Sequence, residues 1–295
     1  MSVDARIVIR NLVGSASSVV ALVSKQSCWI YSLEARRALA VIALPNDCDG
    51  RVAFSSSADC CVVGGWESGL VGYRISDGQR TWRNRRAKKF TQIMISEGSQ
   101  QIFLSETDPP GSMMVDLQSG KLVTRDAEYR QAFYHPEGEG RVALNQNKEL
   151  VWEAGSQSTL LPWGRFAVLS GCFGNRRFVA TSPSGEVVCY DLRAKYITGS
   201  TPGRPTFYNC SPIAFNEESK AFVGLVFDYE GSGCALVDFG SDCRTVTPLA
   251  TFPNVFAGAF LNGGTILLTT NGDVWSTTTG ERMLSLSWDS LTQTR

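Results

Sequence analysis

The sequence holds a single histidine, His135, among 295 residues. A Ser-His-Asp or Cys-His nucleophile has only that imidazole to draw on. It lies in Phe133-Tyr134-His135-Pro136-Glu137, where a strand is expected to end before a turn and where a structural or surface histidine is expected. Zinc sites built on histidine are excluded for the same reason. The nine cysteines include no CxxC pair that could take their place. GxSxG and GxxxxGK[ST] are also absent. Gly138-Glu139-Gly140-Arg141-Val142-Ala143 matches GxGxxA, but it precedes an expected strand, whereas a dinucleotide site follows one and opens a helix. The turn Asn46-Asp47-Cys48-Asp49-Gly50 carries two carboxylates but lacks the later ligands of a calcium loop. No catalytic residue, metal or cofactor is therefore expected, and the chain is read as non-enzymatic.

Net charge is missing too. Twenty-eight Lys+Arg balance 28 Asp+Glu, which argues against general binding to nucleic acid or an anionic membrane. The longest uninterrupted apolar run, Ala38 to Leu44, has seven residues, against roughly 18 for a membrane span. Asp4 and the serines at Ser15, Ser17 and Ser18 spoil the N-terminus as a signal peptide, so a cytoplasmic location is expected. In that setting Cys28, Cys61, Cys189 and Cys234, all inside apolar runs, are read as reduced core thiols.

A repeat is what the chain does have. An apolar strand, a turn and a further strand recur, as in Gly72 to Trp82, Met114 to Leu122, Cys189 to Tyr196, Leu236 to Asp242 and Val274 to Arg282. Weaker copies are Ile30 to Ala35 and Val151 to Gly155. Aligned on the apolar residue before the turn, they fall at Tyr31, Tyr73, Val115, Trp152, Tyr190, Val237 and Trp275, spaced by 42, 42, 37, 38, 47 and 38 residues. A period of about 40 residues is that of a four-stranded propeller blade, and Asp-Gly, Ser-Gly and Thr-Gly are hairpin turns. Two strands precede each copy, for instance Val52 to Ser55 and Cys61 to Gly64, and a fourth follows the turn, such as Lys121 to Arg125. The sequence thus predicts an all-β fold, a seven-bladed β-propeller of four-stranded antiparallel blades over residues 1–288, with a short C-terminal tail at 289–295. Arg6 to Arg10 is expected either as the first strand of blade 1 or as a clasp on the last blade. Trp29, Trp82, Trp152, Trp275 and Trp288 are read as packing between blades.

The repeat resembles the WD-repeat and quinoprotein-like β-propeller superfamily over nearly the whole chain. The slot for Trp-Asp reads Val115-Asp116, Tyr190-Asp191 and Val237-Asp238, and the family's Gly-His dipeptide is absent. The resemblance implies partner binding for most members and enzyme activity for a minority.

Charge then points to a face. From Arg80 to Lys89 there are six basic residues and no acid. In a propeller the turns between second and third strands share a face with the blade linkers. On the expected strands that face gathers Trp66, Glu67, Arg83, Arg85, Arg86, Asp108, Tyr129, Lys148, Arg204, Tyr208, Asp228 and Tyr229. Aromatic residues and arginine are favoured interface anchors. A monomer that docks another protein through this longer-loop face is expected. Its rivals are an immunity or inhibitor protein that caps a toxin, and an enzyme using channel carboxylates such as Asp108 or Asp228.

Overall fold

The structure is a computed structural model that describes residues 9, 11–15, 17–44, 51–55, 59–96, 100–107, 110–126, 129–135, 139–161, 170–174, 176–182, 186–193, 196–201, 209–227, 233–255 and 257–288. Within them lie 28 strands in seven four-stranded antiparallel sheets, and each sheet takes its strands consecutively from the chain. Blade 1 is Asn11–Gly14, Val19–Val23, Ser27–Ser32 and Arg37–Ala43; blade 2 is Arg51–Phe54, Cys60–Gly65, Gly69–Arg74 and Arg80–Asn84. Blade 3 is Phe90–Ser96, Gln101–Thr107, Pro110–Asp116 and Leu122–Asp126; blade 4 is Tyr129–Tyr134, Arg141–Asn145, Leu150–Ala154 and Gln157–Leu160. Blade 5 is Ser170–Gly174, Arg177–Thr181, Val187–Asp191 and Tyr196–Thr201; blade 6 is Asn209–Asn216, Ala221–Phe227, Gly233–Gly240 and Thr247–Pro253. Blade 7 is Gly258–Leu261, Ile266–Thr269, Asp273–Ser276 and Arg282–Ser285. All seven residues that anchor the sequence repeat stand on third strands.

The core is a ring of seams, because each blade buries one face against each neighbour. One buried apolar cluster marks each seam. Ala21, Cys28 and Ile30 meet Val52, Cys61 and Val63 between blades 1 and 2. Val62 and Leu70 meet Ile102 and Val115 between blades 2 and 3, and Phe103 meets Ala132 and Ala143 between blades 3 and 4. Val142 and Leu144 meet Phe178 and Tyr190 between blades 4 and 5. Val179 and Cys189 meet Phe215 and Phe222 between blades 5 and 6, and Leu225 and Leu236 meet Leu267 between blades 6 and 7. Burial on both faces is why runs such as Ile266-Leu267-Leu268 are apolar at consecutive positions.

The ring closes by packing. Ile9, Leu12, Val20 and Leu22 of blade 1 bury against Ala259, Leu261 and Leu268 of blade 7, and the Asn262 amide donates to the Ser17 carbonyl at 3.2 Å. The first strand of blade 1 is Asn11–Gly14, not the expected segment Arg6 to Arg10, of which only Ile9 lies among the described residues. The turn explains the displacement. Ser15 donates from both its amide and its hydroxyl to the Val19 carbonyl, at 3.0 and 2.7 Å, which closes the hairpin so that Leu12 pairs with Leu22.

The tryptophans pack between blades as expected. Trp82 joins the seam of blades 2 and 3, Trp152 that of blades 4 and 5, Trp275 that of blades 6 and 7, and Trp29 and Trp288 that of blades 7 and 1. Trp82 and Trp288 are also pinned by their indole N–H groups, which donate to the Leu117 and Thr270 carbonyls, each at 2.8 Å. A Cβ at Gly72 or at Gly120 would come within 2.3 Å of the Trp82 indole. Only glycine leaves room for the ring at these two positions.

Candidate partner-docking face

Alternating strand directions fix which turns share a face. Turns between second and third strands fall at one end of every blade, together with the linkers to the next blade. Blade 2 builds this end from Trp66–Ser68 and the linker 85–89. The Lys89 amide donates to the Trp66 carbonyl at 2.9 Å. The Asn84 carboxamide oxygen accepts the Arg86 and Ala87 amides at 2.9 and 3.1 Å, which turns the linker as the strand ends. Lys88 lies 3.6 Å from Glu67, and Arg83 donates to the Ser68 carbonyl at 3.4 Å.

Four expected site residues, Trp66, Glu67, Arg85 and Arg86, thus meet in one corner, with Arg83 leaning on it from the outer strand. Arg83, Arg85, Arg86, Lys88 and Lys89 are all exposed, and Trp66 is half-buried. Lys148 lies on the same face two blades away, exposed in the turn that its amide closes by donating to the Asn145 carbonyl at 3.0 Å. Beside it Arg130 donates to the Gln146 carboxamide at 3.2 Å, a contact that the sequence did not suggest.

Tyr129 is placed differently. It is 6% exposed and turned into the seam of blades 3 and 4, where its hydroxyl donates to Glu153. Arg141 donates to Glu153 at 2.6 Å, and its guanidinium lies 4.8 Å from the centre of the Tyr129 ring. Burial acts to lower the Arg141 pKa, but hydrogen bonds to Glu153 and Tyr134 outweigh it and the net direction is up. Asp108, Arg204, Tyr208, Asp228 and Tyr229 lie outside the described residues, as does the turn at residues 46–50.

Among the described residues no group of His, Cys, Asp and Glu is placed to hold a metal, and no helix is long and apolar enough to cross a membrane. His135 packs edge-on to Phe173, with ring centres 5.1 Å apart, in the same aromatic group as Trp152. Eight cysteines are present as thiols; Cys48 lies outside the described residues. Burial pushes the Cys172 and Cys210 thiols up to about 12.

The aspartate of the Trp-Asp slot has a local task. Asp116, Asp191 and Asp238 accept the backbone amides of Ser119, Arg193 and Gly240 at 2.7, 2.9 and 2.6 Å. Each carboxylate thereby shapes the chain as it leaves its third strand. Bonds from the Ser119 hydroxyl and amide hold the Asp116 carboxyl below its ordinary value.

No protein-family model matches the chain, and no curated protein resembles it in sequence. Its architecture does have counterparts among solved structures. The RRP9 WD40 repeats match 89% of this chain and 87% of theirs at 15% identity, with a TM-score of 0.66. Kluyveromyces lactis Hsv2 matches 92% of this chain and 93% of its own at 10% identity, also with 0.66. A chain of the mitotic checkpoint complex matches over 95% and 92% at 10% identity, with 0.69. Together with the seven four-stranded blades, these likenesses identify the fold as a divergent, WD-repeat-like β-propeller.

Proposed function

We propose that this propeller is a non-enzymatic, cytoplasmic binding protein that docks another protein through the face of blade linkers and second-to-third-strand turns, with the basic corner of blade 2 as its anchor. The observation that carries this is the exposed group Arg83, Arg85, Arg86, Lys88 and Lys89, beside which Glu67 lies within ion-pair reach of Lys88. The backbone tie from Lys89 to Trp66 holds the linker in place, so docking need not order it first. Exposed cations on a fixed turn favour an acidic partner patch and speed encounter with it. One structural neighbour is a chain of a multi-protein assembly, the mitotic checkpoint complex.

The test is capture from native lysate by the tagged full chain beside its Arg83/Arg85/Arg86→Glu variant. Wild type is expected to retain one stoichiometric partner, and the variant to lose it while melting at the wild-type temperature. A partner held equally by both proteins would overturn the assignment of the blade 2 corner.

A further inference from the structure

We infer a second binding site on the opposite face: a cleft between blades 2 and 3 that takes an uncharged, extended peptide segment through one apolar side chain. The cleft has a volume of about 780 Å³, within the roughly 300–1,000 Å³ of ligand sites in general. It opens among first-to-second-strand and third-to-fourth-strand turns, which lie at the other end of the blades from the basic corner.

Its inner wall is apolar: Val62, Ile75 and Leu117, at 1, 4 and 9% exposure, with the Trp82 ring beside them. That wall cannot rearrange cheaply. Trp82 is fixed by its bond to Leu117 and by lying directly over Gly72 and Gly120, so its ring is a fixed part of the wall. The wall suits an aliphatic or aromatic side chain.

The rim sets the rest of the ligand. Gln100, Gln118, Ser76 and Thr81 line it and carry no charge. Carboxamides and hydroxyls both donate and accept, which matches the alternating N–H and C=O groups of an extended backbone. Asp59 and Arg74 are the two charged residues among those lining the cleft, one of each sign, and Arg74 already donates to Asp77 at 2.7 Å. A phosphate or nucleotide would need an excess of cations here. The balanced rim favours a neutral peptide.

Cys60 lines the cleft and is half-buried, which gives a local readout. The rate of Cys60 alkylation by iodoacetamide is followed by mass spectrometry on the full chain, with blocked pentapeptides Gly-Gly-Xaa-Gly-Gly present. Peptides with Leu or Phe at Xaa are expected to slow it several-fold, and those with Ala, Asp or Lys to leave it unchanged. Gln118→Trp and, separately, Ser76→Trp place bulk at the mouth from exposed turns and are expected to abolish the protection. Arg83/Arg85/Arg86→Glu, on the other face, is expected to preserve it, so this site and the basic corner fail independently. Equal protection by the Ala and Phe peptides, protection that survives both tryptophan variants, or no protection by any peptide would overturn the proposal.

Discussion

The seam between blades 5 and 6 and the seam between blades 3 and 4 join the same kind of blade with very different amounts of buried apolar surface. At the first, eleven buried residues form one apolar cluster, including Phe215, Phe222, Phe239 and the thiols of Cys189, Cys210 and Cys243. At the second, the buried cluster is four residues, Phe103, Tyr129, Ala132 and Ala143. Next to those few apolar residues, but inside blade 4 itself, the cross-strand pair Arg141–Glu153 forms an ion pair with both side chains only about a fifth exposed, at 20 and 21%. The blade repeat therefore dictates strands and turns, but not how much apolar bulk fills the seam between neighbouring blades. A seam of large apolar side chains tolerates approximate fit and loses stability in proportion to the volume removed. A partly buried ion pair within a blade, beside such a thin cluster, depends instead on both partners being present.

Removing bulk from the apolar seam is expected to have the largest effect. Phe222 is fully buried and packs on Phe215 with ring centres 5.0 Å apart. Phe222→Ala is expected to cost about 4 kcal/mol, measured by urea denaturation. A loss under about 1 kcal/mol would mean that this seam collapses around the gap and is less specific than its packing suggests.

The ion pair of blade 4, beside the thinner seam, is expected to break by a different rule. Glu153→Ala leaves Arg141 in the seam without its carboxylate and takes away the acceptor of the Tyr129 hydroxyl, for a loss of about 3 kcal/mol. The double variant Arg141→Met/Glu153→Leu removes both charges together and is expected to recover most of that loss. No such recovery is expected in the apolar seam, where a second truncation deepens the first. If the double variant is as unstable as Glu153→Ala, the pair acts through shape and not through charge.

The contrast also marks what the sequence made legible. The third strands were readable because an apolar residue followed by a tight turn recurs seven times, and Tyr31 through Trp275 all fall on them. As a first strand of blade 1, Arg6 to Arg10 was misplaced because Ile7-Val8-Ile9 is an apolar run of strand length, while the turn that sets the register is made by Ser15 bonding to Val19; the alternative, a clasp on the last blade, falls, apart from Ile9, on residues outside those described. Tyr129 was counted with the docking face because it begins a blade next to a linker. Its direction depends on the Arg141↔Glu153 register, and the sequence held a signal for that pairing: both residues are six positions from Asn147 in the intervening turn. The basic corner was legible as a run of charge, and its tie to Trp66 followed from blade topology. The cleft was not, because it arises where two blades 42 residues apart in their repeat positions meet around Trp82, and the only trace in the sequence was a glycine, Gly72, inside a strand.

The thiols give the smallest and most selective probe of the two seams. Cys210 is fully buried in the apolar seam, with Cys189 and Cys243 in the same cluster. Desolvation raises its pKa from 9.0 to about 12. Because the folded value lies above the unfolded one, the neutral thiol's contribution is fully present below pH 9 and is lost as pH rises through 12. The alkaline limb of stability is thus expected to steepen between these values, and Cys210→Ala is expected to make it shallower at a neutral-pH cost of about 1 kcal/mol. Hydrogen exchange resolved by segment then compares the seams. In wild type, raising the pH from 9 to 10 is expected to reduce protection of Asn209–Asn216 and Ala221–Phe227, after correction for the intrinsic exchange rate. In Cys210→Ala that reduction is expected to shrink, while the response of Tyr129–Tyr134 stays as in wild type. If both seams respond to the substitution alike, the blades open as one cooperative ring, and the way each seam is glued has no separate bearing on how it comes apart.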